Sequence, residues 1–475
     1  MNKRHFYSPV VTRRDFVRTA IAAAGVAPLI VPSRLFGADA PSNRIRVGHI
    51  GAGRIAQSHD MPGVAKSGLA DVLAVCDLDT KRQASGQATV EKLFADSKLP
   101  RPQIATYGDY REVLARPDLD AVVLSLPDHW HAEIALAALY AGKDVYVQKP
   151  FTMTHEEGVL LRETVAKTGR ILQVGSQQRS WNTTQQFRKA CEFVRSGRVG
   201  RLQRVEIGLP TDPTAPDDPV QPVPPNFNYE RWLGPTPQVY YTEQRVHPQN
   251  SVTARPGWLR HDAYCLGMIT GWGAHHFDTA HWGMGVELTG PSKVEGRGEF
   301  PTNKIWNVHG AYHIELTYPG GVRMTVSDRL DNGIKFIGDE GWIFVTRENT
   351  APATAGDGAT RPATLKTLDA SNPKLLDPAG ALAVQFPASA SHHKNWLECV
   401  KSRQPPLAPA PIAHRSNTAC ILSWIAMKLA RPLTWDAQAE RFVGDAAANA
   451  MLSRPERGAY GAVQLAKARH QVTRV

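Results

Sequence analysis

After residue 44 the chain alternates short apolar runs with helical stretches, each bounded by glycine, proline or polar turns. Ile45-Arg46-Val47-Gly48-His49-Ile50 predicts a strand, and Gly51-Ala52-Gly53-Arg54-Ile55-Ala56 predicts a tight turn entering a helix. Residues 72–76 predict the next strand, which ends in Asp77. Residues 120–126 are apolar nearly throughout, as suits a strand buried on both faces of a parallel sheet. That run exits into Pro127-Asp128-His129-Trp130-His131, followed by a helix over 132–141 that Gly142 ends. A strand over 144–147 then leads to Gln148-Lys149-Pro150, and 170–175 predicts one further strand.

The pattern changes beyond that point. An amphipathic helix over 184–196 is followed by strands at 202–209, 308–318, 321–327 and 334–337, which predict a large, mostly antiparallel sheet with one open face. The expected architecture is a doubly wound parallel α/β domain over 41–170, an α+β domain over 171–454 and a C-terminal tail over 455–475. Residues 210–225 hold seven prolines and 349–371 are rich in Ala, Thr, Pro and Gly, so both read as surface loops or a lid edge. Residues 392–401 predict a helix, 405–411 a break, and His414-Arg415-Ser416 the start of a helix running to 429.

Composition removes several classes. With 475 residues, 42% hydrophobic and 21% charged, the chain is globular and large enough for two or three cores. Its net charge of +11 is concentrated in part in the first 40 residues, where six basic side chains face Asp15 and Asp39. The remaining surplus is spread without basic runs, which argues against nucleic-acid binding. Thr12-Arg13-Arg14-Asp15-Phe16-Val17-Arg18, a short apolar run over 19–31 and Ala38-Asp39-Ala40 predict a twin-arginine export signal cut after Ala40. The mature protein is then expected to be periplasmic or otherwise extracytoplasmic, exported folded and without a stable membrane anchor. Cys76, Cys191, Cys265, Cys399 and Cys420 are scattered, which argues against a disulfide framework or structural zinc.

The turn after the first strand suits a dinucleotide: Gly51 permits the bend, Gly53 lets backbone approach a pyrophosphate, and Ala56 is the third small position. Asp77, 26 residues after Gly51, suits the adenosine ribose and favours NAD, although Lys81 and Arg82 leave NADP open. Each residue keeps a plainer reading: Asp77 as a turn carboxylate, His131 as a cap, Lys149 as an exposed structural lysine. A second constellation, Gly271-Trp272-Gly273-Ala274-His275-His276-Phe277-Asp278, puts His275 and Asp278 on one face of a helix with His276 pointing elsewhere. His275 and Asp278 alone lack the ligand count for a metal, and none is expected.

Gly51-x-Gly53, Asp77, Leu126-Pro127-Asp128-His129-Trp130-His131 and Lys149-Pro150 together resemble the Gfo/Idh/MocA family of nicotinamide-dependent oxidoreductases. The resemblance implies a Rossmann domain in which Gly51, Gly53, Arg54, Ile55, Asp77, Arg82, Leu126, Pro127, His131, Gln148 and Lys149 meet NAD. It also implies that Lys149 and His275 are catalytic, that Pro150 fixes the lysine turn through a cis bond, and that Gln178, Arg179, Trp272, His276, His414 and Arg415 face a carbohydrate substrate. Two departures stand out: Gln148 replaces the usual Glu of Glu-Lys-Pro, and Gly271 stands where many relatives carry Asp. Three functions follow as expectations: net oxidation of a sugar, glycoside or cyclitol hydroxyl; redox-neutral glycoside cleavage by oxidation and elimination around a self-recycling NAD; and carbohydrate binding with the nucleotide kept as structure. Self-association through the open sheet is also expected.

Overall fold

The computed structural model describes residues 43–96, 103–181, 184–347, 365–378, 380 and 382–472. The expected export signal, 1–40, lies outside them. Six strands form a parallel sheet: β1 (Ile45–Ile50), β2 (Ala70–Cys76), β3 (Ala105–Tyr107), β4 (Ala121–Leu124), β5 (Asp144–Val147) and β6 (Leu172–Val174). Their order, β3-β2-β1-β4-β5-β6, reverses between β1 and β4, which opens a crevice at the carboxyl ends of those strands. Every residue of β4 and β5 is buried, because helices pack on both faces. The parallel sheet includes β6 and so extends beyond residue 170, where the sequence reading ended the first domain. A strand of three residues, Leu172-Gln173-Val174, does not declare which sheet it joins.

The second sheet is built from β7 (Leu202–Gly208), β9 (Lys293–Gly298), β11 (Tyr312–Thr317), β12 (Arg323–Ser327), β13 (Gly333–Gly338), β14 (Trp342–Val345), β15 (Leu368–Ala370), β16 (Leu433–Asp436) and β17 (Arg441–Phe442). A separate ribbon pairs β8 (Ala215–Pro216) with β10 (Lys304–Trp306). The large sheet runs β15-β14-β13-β7-β12-β11-β9-β16-β17, antiparallel except where β7 meets β12. Alternation sets its faces: Tyr312, Ile314 and Leu316 enter the core while His313, Glu315 and Thr317 face outward. The inner face shares its core with the helices Gln186–Arg195, Gly273–Met284 and Ala410–Leu429.

The chain then returns to the first domain. Trp396, Leu397 and Val400 of the helix His392–Ser402 pack with Val64, Val90 and Phe94. Residues expected as a C-terminal tail instead include a helix, Ala462–Val472, whose Ala462 joins the core holding Ala135 and Leu136. Buried Glu133 fixes its start by accepting the Gly461 N–H at 2.6 Å. Among the described residues no helix is long and apolar enough to cross a membrane.

Candidate active site

A cavity of about 530 Å³ opens at the carboxyl ends of β1, β2, β4 and β5. Gly51, at φ +89°, begins the turn beside it, and a methyl group there would lie 2.3 Å from the Ser125 carbonyl oxygen. Gly53 differs: a methyl would meet no protein atom nearer than Arg82 Nη1 at 3.6 Å, so its missing side chain leaves cavity open. Asp77 ends β2 and accepts the Ala52 N–H at 2.8 Å and the Asp79 N–H at 2.9 Å. Burial raises its carboxyl above the ordinary range. This donor turn, open glycine and acidic strand end suit a dinucleotide, with Asp77 at the ribose and the turn, Arg54 and Arg255 at the pyrophosphate.

Of the residues expected at the cofactor, Gly51, Gly53, Arg54, Ile55, Asp77, Arg82, Leu126, Pro127, Gln148 and Lys149 line the cavity. His131 does not. Its ring is fully buried, with Nδ1 2.7 Å from the Pro150 carbonyl oxygen and Nε2 3.1 Å from that of Leu126. Burial pushes the imidazole down to about 4, so it is neutral and donates to only one of them. His131 therefore braces the Lys149-Pro150 turn, whose peptide bond is cis.

Lys149 Nζ donates to the Gly271 carbonyl oxygen at 2.6 Å. The carboxylate that Gly271 lacks is thus replaced by the glycine's own backbone acceptor. Burial lowers the lysine pKa; Asp128 opposes that shift, and Arg347, Arg255 and Arg54 reinforce it. The Asp128 carboxyl, buried at the same cavity, is pushed up by desolvation against the pull of Lys149. Gln148 in turn donates from Nε2 to Asp60 Oδ1 at 2.7 Å, and Asp60 also accepts from Ser125 Oγ at 2.6 Å and meets His393 Nε2 at 2.9 Å. A carboxylate therefore stands behind Gln148, one side chain further from the lysine.

His275 lines the cavity from the helix Gly273–Met284 and is held neutral by burial, with Arg347 and Lys149 adding to the shift. Asp278 does not join it; its carboxylate takes Arg179 Nε at 2.7 Å and Nη2 at 3.0 Å in the core. Arg179 and Gln178 consequently lie away from the cavity. Gln178 Nε2 lies 3.2 Å from His276 Nδ1 and its Oε1 accepts from Thr279 Oγ1, while His276 Nε2 meets Asn332 Oδ1 at 2.9 Å. His414 and Arg415 are also remote, both engaged with Glu440. Of the expected substrate residues only Trp272 lines the cavity, joined by Gln177 and Trp181, from the same segment as the expected Gln178 and Arg179, and by Arg347, for which the sequence gives no signal. The segment Gln177–Ser180 turns as a short 3-10 helix, so neighbours in sequence face opposite ways and no period announces which.

The second domain also covers the nucleotide end. Trp232, His247, Arg255 and Trp258 line the cavity, and the segment carrying them is pinned to buried Asp79 by Asn226 Nδ2 at 2.8 Å, His247 Nε2 at 3.0 Å and Gln249 Nε2 at 3.0 Å. Phe227, Tyr229, Trp232, Tyr241 and Tyr264 give this strap its own aromatic core.

A reversed-order parallel sheet, a glycine turn, an acidic strand end and a lysine at the crevice define a nicotinamide-dinucleotide oxidoreductase. Residues 45–176 match the NAD-binding Rossmann fold of the Gfo/Idh/MocA oxidoreductases, and 215–462 match that family's C-terminal alpha/beta domain. The chain belongs to the Gfo/Idh/MocA family of oxidoreductases. It is 35% identical over 177 residues to glycosyl hydrolase family 109 protein 1 of Shewanella sp. strain ANA-3, a match covering 35% of this chain and 38% of that protein. Among solved structures, the WlbA dehydrogenase of Bordetella pertussis in complex with NADH and UDP-GlcNAcA superposes with a TM-score of 0.56 at 17% identity, covering 83% of this chain and 99% of that one. The aldose-aldose oxidoreductase of Caulobacter crescentus complexed with glycerol gives 0.55 at 16% identity, covering 82% and 99%.

Proposed function

We propose that the protein oxidises a hydroxyl of a sugar, glycoside or cyclitol by hydride transfer to an NAD that stays bound between turnovers. The observation that carries the chemistry is the 2.6 Å hydrogen bond from Lys149 Nζ to Gly271 O, which fixes the ammonium at the cavity shared with His275 and Trp272. Bound NAD supplies a hydride acceptor. Lys149 in its neutral form takes the hydroxyl proton, and its lowered pKa makes that form accessible near neutral pH. Neutral His275 binds the same hydroxyl and is the alternative proton acceptor. Trp181 and Trp272 offer flat faces to a sugar ring.

Retention of the cofactor is supported by the strap anchored on Asp79. The same strap favours a second reading, redox-neutral glycoside cleavage, because a covered NAD that regains its electrons within each turnover need not exchange. The match to a glycosyl hydrolase family 109 protein over a third of the chain points the same way. We propose further that the chain is exported folded and cut after Ala40, and that copies meet through the open face of the large sheet. Mass and absorbance analysis of nucleotide released by denaturing the mature protein tests retention: about one NAD per chain is expected, and empty protein overturns it. Accumulation of NADH with substrate separates net oxidation from redox-neutral cleavage.

A further inference from the structure

We propose that the C-terminal segment completes the cofactor site, with Tyr460 lying against the adenine of NAD and closing that end of the cavity. The inference rests on the bound-NAD reading above. The sheet order places the two ends of a dinucleotide: Lys149 follows β5 on one side of the glycine turn, whereas Asp77 follows β2 on the other, with β3 beyond it. The cavity continues past Asp77 to Gly108 and Tyr110, just after β3, and there its walls become aromatic. Tyr110, Trp130 and Tyr460 line that end together with Ile134. Between ring centroids, Trp130 is 6.1 Å from Tyr110 and 5.7 Å from Tyr460, edge to face in both pairs. Flat apolar walls beyond the ribose position suit a purine, the neutral planar ring of oxidised NAD.

Tyr460 reaches the cavity from the far end of the chain, and the segment that carries it is anchored on two sides. Arg457 donates from Nε to the Gly234 and Thr236 carbonyl oxygens at 3.1 and 2.9 Å, which ties the segment to the strap. On the other side, Glu133 Oε2 takes the Gly461 N–H at 2.6 Å while its Oε1 accepts the Tyr110 hydroxyl at 2.9 Å. One buried carboxylate of the helix His131–Tyr140 thus fixes both Tyr110 and the residue that follows Tyr460. Arg457 also stands over the Tyr460 ring, 5.5 Å from its centroid. The Trp232 carbonyl takes the Trp130 indole N–H at 2.9 Å, which joins the third ring to the strap. The segment therefore runs between the strap and the first domain at the end of the cavity opposite Lys149. A ring held this way before a ligand arrives loses little freedom when it meets a base.

Calorimetric titration of the full chain, freed of nucleotide, with NAD and with ADP-ribose tests this, because ADP-ribose carries the adenine without the nicotinamide. Tyr460→Ala is expected to weaken both by the same factor, about tenfold or more, the scale of losing an aromatic partner of a base. Tyr460→Phe keeps the ring and is expected to retain both affinities. Hydrogen exchange of the unmutated chain gives a second readout: ADP-ribose is expected to slow exchange over 457–465, and this decides the matter if the alanine variant loses its fold. Three results overturn the inference: an unaltered affinity for ADP-ribose in the folded alanine variant, failure of ADP-ribose to bind a chain that takes NAD, or exchange over 457–465 that ADP-ribose leaves unchanged. A chain that takes NAD equally well with and without the Tyr460 ring removes the role of Tyr460 alone, whereas a chain that takes neither nucleotide overturns the NAD reading with it.

Discussion

In the proposed reaction Lys149 would act without a carboxylate at Gln148 or Gly271, and its local partners define its setting. The Gly271 carbonyl fixes its position, while Asp128 tempers a pKa that burial and three arginines drive down. Lys149→Ala is expected to cut turnover about 10²–10⁴-fold, the usual contribution of a positioned acid or base, with bound nucleotide retained; unchanged turnover on every active sugar would sink the catalytic assignment. The pH dependence has a definite sign. Oxidation needs neutral Lys149, so the rate rises as pH passes upward through its lowered pKa. Asp128→Asn removes the charge that raises that pKa, so the rising limb moves to lower pH; Gly271→Asp adds a carboxylate and moves it higher. A methyl at Gly271 has only Met268 Sδ within 4 Å, at 3.8 Å, so the latter variant has room to fold. Limbs that do not move, or that move oppositely, would assign the base elsewhere. At this scale the sequence exposed residues whose position follows from a strand end, such as Asp77 and Lys149. It turned His276 away from His275 but still gave it to the substrate, and it did not separate Gln177 from Gln178, because adjacent side chains on one turn take their environments from distant partners, here Asn332 and the core pair Arg179–Asp278.

Strands were legible where burial imposes a pattern: the unbroken apolar β4, the apolar run Val145–Val147 of β5, and the alternating β11. The strap over the nucleotide end was not, because it holds itself together by an aromatic cluster and side-chain hydrogen bonds to Asp79 rather than by any periodic element. Those bonds hold the Asp79 carboxyl well below its ordinary pKa. Asp79→Ala leaves Asn226, His247 and Gln249 without their common acceptor, a loss expected to cost about 1–3 kcal/mol for each donor left buried without a partner. Because Asp79 does not line the main cavity, its removal should act on the cover: NAD recovered after gel filtration is expected to fall from about one per chain to a minor fraction, with turnover restored by added NAD. Full retention would show that the strap does not hold the cofactor.

Across the whole molecule, the domains are joined by contacts that sequence separation hides, and one of them corrects the expected role of His414 and Arg415. Glu440 accepts Arg162 at 2.7 and 2.9 Å, from the helix His155–Thr168, and pairs with His414 Nε2 at 3.0 Å and Arg415 Nη1 at 2.8 Å, from the helix Ala410–Leu429. His155 packs its ring on His414 at 4.9 Å. This is a latch between two helices, and Glu440→Gln is expected to destabilise the fold by about 3 kcal/mol while leaving KM and bound NAD unchanged. The partners hold the Glu440 carboxyl below its ordinary range, so its folded pKa is lower than its unfolded one. Its stabilisation is therefore complete above about pH 4.3, the ordinary glutamate value, and is lost as pH falls through the lowered folded value. Thermal melting of both proteins across pH reads this directly: the gap in Tm should be constant at neutral pH and narrow only in acid. A raised KM with an unchanged Tm would instead return His414 and Arg415 to the substrate.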